Sequence, residues 1–386
     1  MNLLIWILAL ALAGGQIIRI PFAGGGIILL DMVAIIFCFF CIIKNKFKLF
    51  KPPLFLKIAF LFVLICILSL MLTPLTLNQA EMISSLSYTV RLSIYFSLGY
   101  LLFSDSFLSL RKKIIPALLF AGISLAVLGL LQFILLPNLQ PLTIYGWDPH
   151  YFRTVSTFLD PNFLGAYLVL TSILLFAHLA HPKGVLNRHL VIAGIVLVYL
   201  ALLTTFSRSS YLMFLVSGVT LSVLVKSKKI FLSVICLFLA LMLGFYFYTQ
   251  VVAEPRNIDR EKSASFRLNT WEQGWTIFQK SPILGVGFNA YRYAIREFNL
   301  ADQQFLNSRG SSSNDASLLY IAATTGVIGI TIYLLFILNL LKYSYPLNPM
   351  LISAIAGLLI HSIFANSLFY PPILAWILLT AAVPKK

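Results

Sequence analysis

The sequence consists largely of apolar runs of about twenty residues, separated by short polar segments. A helix rises about 1.5 Å per residue, so a run of this length crosses the roughly 30 Å hydrocarbon core of a bilayer. Helices also satisfy their own backbone hydrogen bonds in lipid. The first run contains Gly14 and Gly15 and the last is short, so these two are the least regular. The twelve runs occupy residues 2–20, 24–43, 54–73, 83–103, 114–136, 161–179, 189–206, 209–226, 230–252, 314–341, 349–369 and 371–384.

Composition and charge distribution support this interpretation. Charged residues make up only 10% of the 386 and hydrophobic residues 60%, whereas about a quarter of a soluble domain is charged. The net charge of +16 could indicate a nucleic-acid partner, but the basic residues lie in short clusters between the apolar runs. We therefore predict an all-α polytopic protein in which residues 1–386 form one transmembrane domain, with no nucleic-acid partner.

The basic clusters predict the orientation, because cytoplasmic loops of membrane proteins carry an excess of Lys and Arg. They occur in alternate loops, so we expect both termini to be cytoplasmic. Residues 137–160, the break at Ser207–Ser210 and the long segment 253–313 then face outward. The clusters are Lys44, Lys46, Lys48 and Lys51; Arg111, Lys112 and Lys113; Lys183 and Arg188; Lys226, Lys228 and Lys229; Lys342; and Lys385 and Lys386.

The segment 253–313, between the ninth and tenth spans, is predicted to form a subdomain. Aromatic residues recur close to helical spacing from Phe266 to Phe278, and a second helical stretch runs from Tyr291 to Phe298. Such aromatics favour the headgroup layer. We expect short amphipathic helices that form a lid, with a bend at Pro282–Gly287.

Ionisable residues inside apolar runs are costly and often mark a site or a buried pair. Arg91 lies about 12 Å into the fourth run and either pairs with Asp31 or Glu81 or faces an anionic headgroup. His361 is expected to be an interhelical hydrogen bonder rather than a ligand. Arg19, near a helix end, is expected to extend to the membrane interface.

The predicted outward ends of the helices carry further polar residues. Asp160, Pro161 and Asn162 have the pattern of a helix N-cap followed by proline at the first position. Capping alone would explain Asp160. A positive charge outside opposes the orientation rule, so Arg208 is expected to have an anionic partner. Arg153 precedes Asp160 on the same face of the membrane.

Four stretches together resemble the bacterial O-antigen ligase and polysaccharide polymerase family, in that family's order. They are Arg153–Tyr167, Thr205–Leu212, Phe266–Phe288 and Asn314–Gly329. The resemblance implies an all-helical bundle of about twelve spans in the bacterial plasma membrane, with a large extracytoplasmic loop.

The same resemblance implies a glycosyltransferase that needs neither a metal nor another cofactor. Its donor is a polyprenyl-diphosphate-linked glycan, and its acceptor is a hydroxyl of a glycan or glycolipid among the membrane lipids. Guanidinium groups can stabilise the charge of the departing diphosphate. Arg208 and Arg267 match the family's arginines, and these two and Asp315 are the predicted catalytic residues. The predicted substrate-binding residues are Arg91, Arg153, Asp160, Asn162 and Arg292.

One departure from the family pattern concerns the base. Ligases of the family place a histidine just before the tenth span, where this chain has Asp315. Asp315 could deprotonate the acceptor hydroxyl or act only as a helix N-cap, and His150 is a weaker substitute. The difference favours a polymerase or another glycan transferase over a strict lipid A ligase. The alternatives are a twelve-helix secondary transporter or lipid-linked glycan flippase, and an inactive assembly scaffold.

Overall fold

The computed structural model describes residues 2–22, 25–46, 50–180, 187–253, 262–307 and 309–384. Lys48, Lys183, Lys385, Lys386 and the loop segment 254–261 lie outside these residues. The described chain is almost entirely helical. Its α-helices are α1 Asn2–Gly14, α2 Leu29–Lys44, α3 Leu54–Met71, α4 Gln79–Leu102, α5 Leu108–Arg111, α6 Ile114–Leu135, α7 Pro161–Ala180, α8 Arg188–Thr205, α9 Arg208–Leu224, α10 Lys228–Tyr248, α11 Lys262–Lys280, α12 Tyr291–Glu297, α13 Gln303–Asn307, α14 Ser317–Ser344, α15 Pro349–His361 and α16 Pro371–Ala381.

Each of the twelve apolar runs contains one of these helices. Six helices in the described residues are long and apolar enough to cross a membrane, namely α3, α6, α7, α8, α10 and α14. Four shorter apolar helices are α1, α9, α15 and α16, while α2 and α4 occupy the second and fourth runs. The predicted helical class is thus confirmed, with six candidate membrane spans. The number of twelve crossings and the placement of the loops stay predictions.

The first run is helical only as far as Gly14, short of the predicted residue 20. Gly15 follows with φ +56°, and a Cβ there would lie 2.5 Å from the carbonyl oxygen of Thr157. Glycine tolerates this conformation and this close approach. The chain then forms an antiparallel hairpin of β1 (Arg19–Phe22) and β2 (Gly25–Ile28). Pro21 and the three glycines at 24–26 are a turn signal in the sequence, but the apolar residues around them favour assignment to two membrane spans.

Helix α14 is interrupted at Gly326, which has φ +66° and ψ −169°. The interruption leaves helix carbonyls without their usual partners. The bend after α11 supplies the missing donors: the amide of Val286 donates to Ala323 O at 3.1 Å and that of Gly287 to Thr324 O at 3.0 Å. The predicted bend is therefore inserted beside a broken helix.

Hydroxyl groups at the end of α3 hold the inserted bend from the other side. Ser69 Oγ donates to Thr324 O at 2.8 Å and accepts from the amide of Phe288 at 3.1 Å. Thr73 Oγ1 donates to Val286 O at 2.6 Å. Backbone groups away from water must find such partners, so these bonds fix where the chain emerges towards α12.

Buried aromatic rings pack around the same place. Phe62 of α3 meets Tyr333 of α14 with ring centroids 5.1 Å apart, and Phe288 meets Phe369 at 5.5 Å. Edge-on pairs of this kind are favourable and directional. The inserted bend is thus part of the core rather than a loose surface loop.

Candidate functional site

A cavity of about 710 Å³ lies among the N-terminal part of α11, the α8–α9 junction, the start of α7 and the hairpin. It is about the size of small-molecule and cofactor sites. All eight predicted catalytic and substrate-binding residues line it, namely Arg91, Arg153, Asp160, Asn162, Arg208, Arg267, Arg292 and Asp315. Residues far apart in the chain therefore meet in one place, while their individual roles stay predictions.

The tight junction between α8 and α9 presents Arg208. Phe206 ends α8 in the left-handed region with φ +47°, Ser207 is the N-cap of α9, and Arg208 is its first residue. Arg153 supports the junction, because its Nε donates to Thr205 O at 2.9 Å and its Nη2 to Phe206 O at 3.4 Å. These are carbonyls that a helix C-terminus leaves open. Arg153 therefore braces the junction that carries Arg208.

The guanidinium groups of Arg208 and Arg267 are only weakly compensated. Arg208 lies over the ring of Phe245 at 5.7 Å and has no carboxylate or hydrogen-bond acceptor among the described residues. Arg267 approaches Asp315 at 4.0 Å. Burial lowers the pKa of Arg267, Asp315 opposes that effect, and the charge of nearby Arg208 lowers the pKa further. Two neighbouring cations without full compensation form a favourable place for an anion.

Asp315 lies two residues before α14 begins. Burial raises the pKa of its carboxyl to about 6, the charge of Arg267 opposes this, and Asp160 and Asp148 add to the increase. The alternative role of Asp315 as a helix cap finds no support, because no side chain caps the N-terminus of α14. The neighbouring Asn314 accepts from the amide of Ala316 at 2.8 Å instead.

Buried Asn314 holds three parts of the loop together. Its Nδ2 donates to the carbonyl oxygen of Thr270 on α11 and to the hydroxyl of Tyr291 on α12 at 2.9 Å. The same residue is bonded to the start of α14. It therefore sets the distance between Arg267 and Asp315. A single Asn in a loop gives no sequence signal for such a role.

Asp160 caps α7 as its sequence predicts. Its Oδ1 accepts from the amides of Asn162 at 2.7 Å and Phe163 at 3.0 Å. Burial raises the pKa of Asp160, and Asp148 adds to that increase. Asn162 Oδ1 accepts from Ser207 Oγ at 2.8 Å. Both residues thus have structural partners as well as a place on the cavity wall.

Of the two carboxylates predicted as possible partners of Arg91, Asp31 forms the ion pair and Glu81 does not. Arg91 Nη2 lies 2.9 Å from Asp31 Oδ2, and the hydroxyl of Tyr95 donates to Asp31 Oδ1 at 2.9 Å. Glu81 pairs instead with Arg296 of α12. Arg91 also lines the cavity, and its role in substrate binding stays a prediction. It differs from Arg208 in that its charge is already paired with Asp31.

The expected interhelical hydrogen bond of His361 is present, since its Nε2 lies 3.4 Å from Ser210 Oγ. In α12, Arg292 Nε donates to Ser311 Oγ at 2.7 Å. Arg292 therefore links α12 to the segment that precedes Asp315.

Several cavity residues were not identified from the sequence. Arg19 lines the cavity because the hairpin turns it inward, although its position near a helix end suggested an interfacial side chain. Trp147 and Asp148 also line it, and their place in the predicted outward loop 137–160 could have pointed to them. Within the described part of the chain, no group of three or more His, Cys, Asp and Glu side chains is arranged for a metal ion.

Part of the chain matches a known protein family. Residues 193–334 match the family described as O-Antigen ligase. The matched region contains Arg208, Arg267, Arg292 and Asp315, while Arg91, Arg153, Asp160 and Asn162 precede it. No curated protein matches the chain. The match confirms the resemblance to an O-antigen ligase-like family over residues 193–334.

Proposed function

We propose that the protein transfers a glycan from a polyprenyl diphosphate to an acceptor sugar hydroxyl at the outer face of the bacterial plasma membrane, with both termini in the cytoplasm. The acceptor is another lipid-linked glycan in a polymerase, or a separate glycolipid in a ligase. One observation carries the proposal: Arg208 and Arg267 lie together on the cavity wall with little compensation, beside the carboxyl of Asp315.

The reaction follows from these groups. The acceptor oxygen attacks the anomeric carbon while the bond from that carbon to the diphosphate oxygen breaks. Asp315 takes the proton of the acceptor hydroxyl. Arg208 and Arg267 stabilise the charge that develops on the departing diphosphate, because guanidinium groups can donate two parallel hydrogen bonds to phosphate oxygens. The proposal assigns this charge stabilisation to arginines and needs no metal ion.

The direct test is reconstitution in lipid vesicles with a polyprenyl-diphosphate-linked glycan and an acceptor. We expect one free polyprenyl diphosphate for each glycan transferred. Loss of one preorganised donor to a developing negative charge typically costs about a hundredfold to a thousandfold in rate. Arg208→Ala and Arg267→Ala should each lose that much while remaining folded and inserted.

Arg296→Ala is the matched control, because Arg296 pairs with Glu81 and does not line the cavity. Its rate should stay near that of the wild type. Movement of the lipid-linked glycan across the membrane without cleavage would support the transporter or flippase alternative. Full transfer by both arginine variants would refute the proposed roles.

A further inference from the structure

The connection between α15 and α16, residues 362–370, forms one wall of the cavity. None of the cavity-lining residues on this connection carries a charge, namely Phe364, Ala365, Asn366, Phe369 and Tyr370. The wall therefore offers aromatic rings and one amide rather than a partner for a phosphate. Its chemistry differs from that of the arginine side of the same cavity.

Hydrogen bonds fasten this wall to the segment that carries Asp315. The amide of Ser317 donates to Ser362 O at 2.8 Å. Ser317 Oγ donates to Ala365 O at 3.4 Å and accepts from the amide of Leu368 at 3.4 Å. Because Ser317 follows Asp315 by two residues, the wall and the proposed base are held next to each other.

The ring of Phe364 connects the wall to α11. Its centroid lies 6.4 Å from that of Trp271, which follows Arg267 by four residues and so occupies the same face of the helix one turn later. Phe364 is partly exposed and lines the cavity. The wall thus contacts both elements that carry the proposed reaction, α11 with Arg267 and the start of α14 with Asp315.

The side chain of Asn366 lacks the partners that a buried amide normally has. Within the described part of the chain, its buried Oδ1 has no hydrogen-bond partner, and neither has its Nδ2. The side chain does not cap the 3₁₀ helix Ser367–Phe369 that follows it. Buried polar groups are nearly always paired, and an amide both donates and accepts. A ligand rich in hydroxyl groups would supply the missing partners.

We infer that Phe364 and Asn366 bind the acceptor sugar and direct its hydroxyl to Asp315. The inference rests on the proposed function and adds a site for the acceptor to it. A sugar ring has apolar C–H faces, which pack on an aromatic ring, and hydroxyls at its edge, which pair with an amide. The attacking hydroxyl must lie within hydrogen-bonding reach of its base. A wall fastened beside Asp315 therefore suits the acceptor, while the diphosphate of the donor lies on the arginines.

Two acceptors test the inference: the glycan released by mild acid from the bacterium's own lipid-linked donor, and the bacterium's surface glycolipid. Neither carries a polyprenyl diphosphate, so each can only accept. For the acceptor that the wild type uses, Asn366→Ala should raise KM about tenfold, while the dissociation constant of polyprenyl diphosphate stays unchanged. Asn339→Ala is the matched control, because Asn339 does not line the cavity. An unchanged acceptor KM, or a higher KM for the donor instead, would overturn the inference and leave the proposed function intact.

The thermal midpoint separates binding from a structural role. Asn366→Ala removes no side-chain hydrogen bond of the described chain, so its midpoint should not fall. A lower midpoint with an unchanged acceptor KM would show a structural residue and overturn the inference. Phe364→Leu should also raise the acceptor KM, whereas Phe364→Tyr keeps the ring and should stay near the wild type. Equal KM values for Phe364→Leu and Phe364→Tyr would exclude a sugar on this ring.

A second measurement does not depend on turnover. In a Cys236→Ser background, which removes an exposed cysteine, Asn366→Cys should react with a maleimide added from outside. One of the two acceptors, added with polyprenyl diphosphate, should slow this reaction. No labelling, or labelling that neither acceptor slows, would overturn the inference. Absence of glycan transfer by the wild type would instead count against the proposed function, and the protection result would still decide the sugar site.

Discussion

Nε of Arg267 on α11 lies 4.0 Å from Oδ2 of Asp315 in the segment before α14, and both residues line the cavity. This distance is too long for a hydrogen bond but short enough for a strong electrostatic effect. The Arg267 guanidinium is therefore not held by a hydrogen bond to this carboxylate. One site therefore contains a cation that can bind a phosphate and a carboxylate that can accept a proton.

The first prediction concerns pH. Asp315 can accept a proton only when ionised, and its pKa of about 6 means that the ionised fraction falls as the pH decreases through that value. We expect kcat/KM to fall about tenfold for each pH unit below 6. Asp315→Asn should have very low activity without this dependence, measured as glycan transfer in vesicles. A wild-type profile that persists in Asp315→Asn would assign the titration to another group.

The second prediction concerns Asn314, which joins α11, α12 and the start of α14. Asn314→Ala removes three hydrogen bonds of a buried side chain, each of which contributes about 0.5–1.5 kcal/mol. The thermal midpoint should fall, and transfer should fall with it because Arg267 and Asp315 lose their spacing. Asn339→Ala is the control, since among the described residues the side chain of Asn339 bonds only to Leu335 O of its own helix. Equal stability of the two variants would contradict the role of Asn314.

The third prediction concerns the broken helix. Gly326→Ala places a side chain at φ +66° and against the carbonyl of Ile283. With ψ −169° this backbone conformation is essentially restricted to glycine, so it alone costs another residue about 1–3 kcal/mol, and the overlap adds to it. We expect reduced thermal stability and loss of transfer, because the inserted bend is displaced. Gly14→Ala meets only Leu29 Cδ2 at 3.5 Å and should be tolerated. A stable, active Gly326→Ala protein would show that the bend is not inserted as described.

The fourth prediction concerns the fastening of α12 to α4. The hydrogen bond from Arg296 lowers the pKa of Glu81. The ion pair therefore contributes its full stabilisation of the folded protein when the pH is above the usual pKa of a glutamate. This stabilisation is lost as the pH falls through the lowered pKa of Glu81. Because Arg296 is 48% exposed, the pair contributes only about 0–1 kcal/mol. The difference in thermal midpoint between the wild type and Glu81→Gln should shrink as the pH falls towards 4. A difference that is independent of pH would exclude this ion pair as its cause.

The helices could be predicted from the sequence because lipid imposes a long, continuous apolar signal on each span. The site could be predicted in part for a related reason. Arginines and aspartates are rare in such a chain, so Arg208, Arg267 and Asp315 stand out, and the family resemblance supplies their grouping.

The remaining features depend on contacts between distant segments. Gly326 resembles any glycine in an apolar run, and its break becomes apparent only when the bend at Gly285 lies against it. The Arg296 partner of Glu81 is far away in sequence. The inward turn of Arg19 depends on the hairpin, in which Arg19 pairs with Ile28. Such pairings are properties of the packed chain and leave no local pattern.

The most direct measurement is the dissociation constant of polyprenyl diphosphate for the reconstituted wild type, Arg208→Ala, Arg267→Ala and the double variant. Hydrogen bonds to charged groups contribute about 1.5–3 kcal/mol, so each single variant should bind about tenfold to a hundredfold more weakly. The lysine replacements should recover only part of the affinity, because lysine lacks the planar fork. Binding by the double variant that equals that of the wild type would contradict the account.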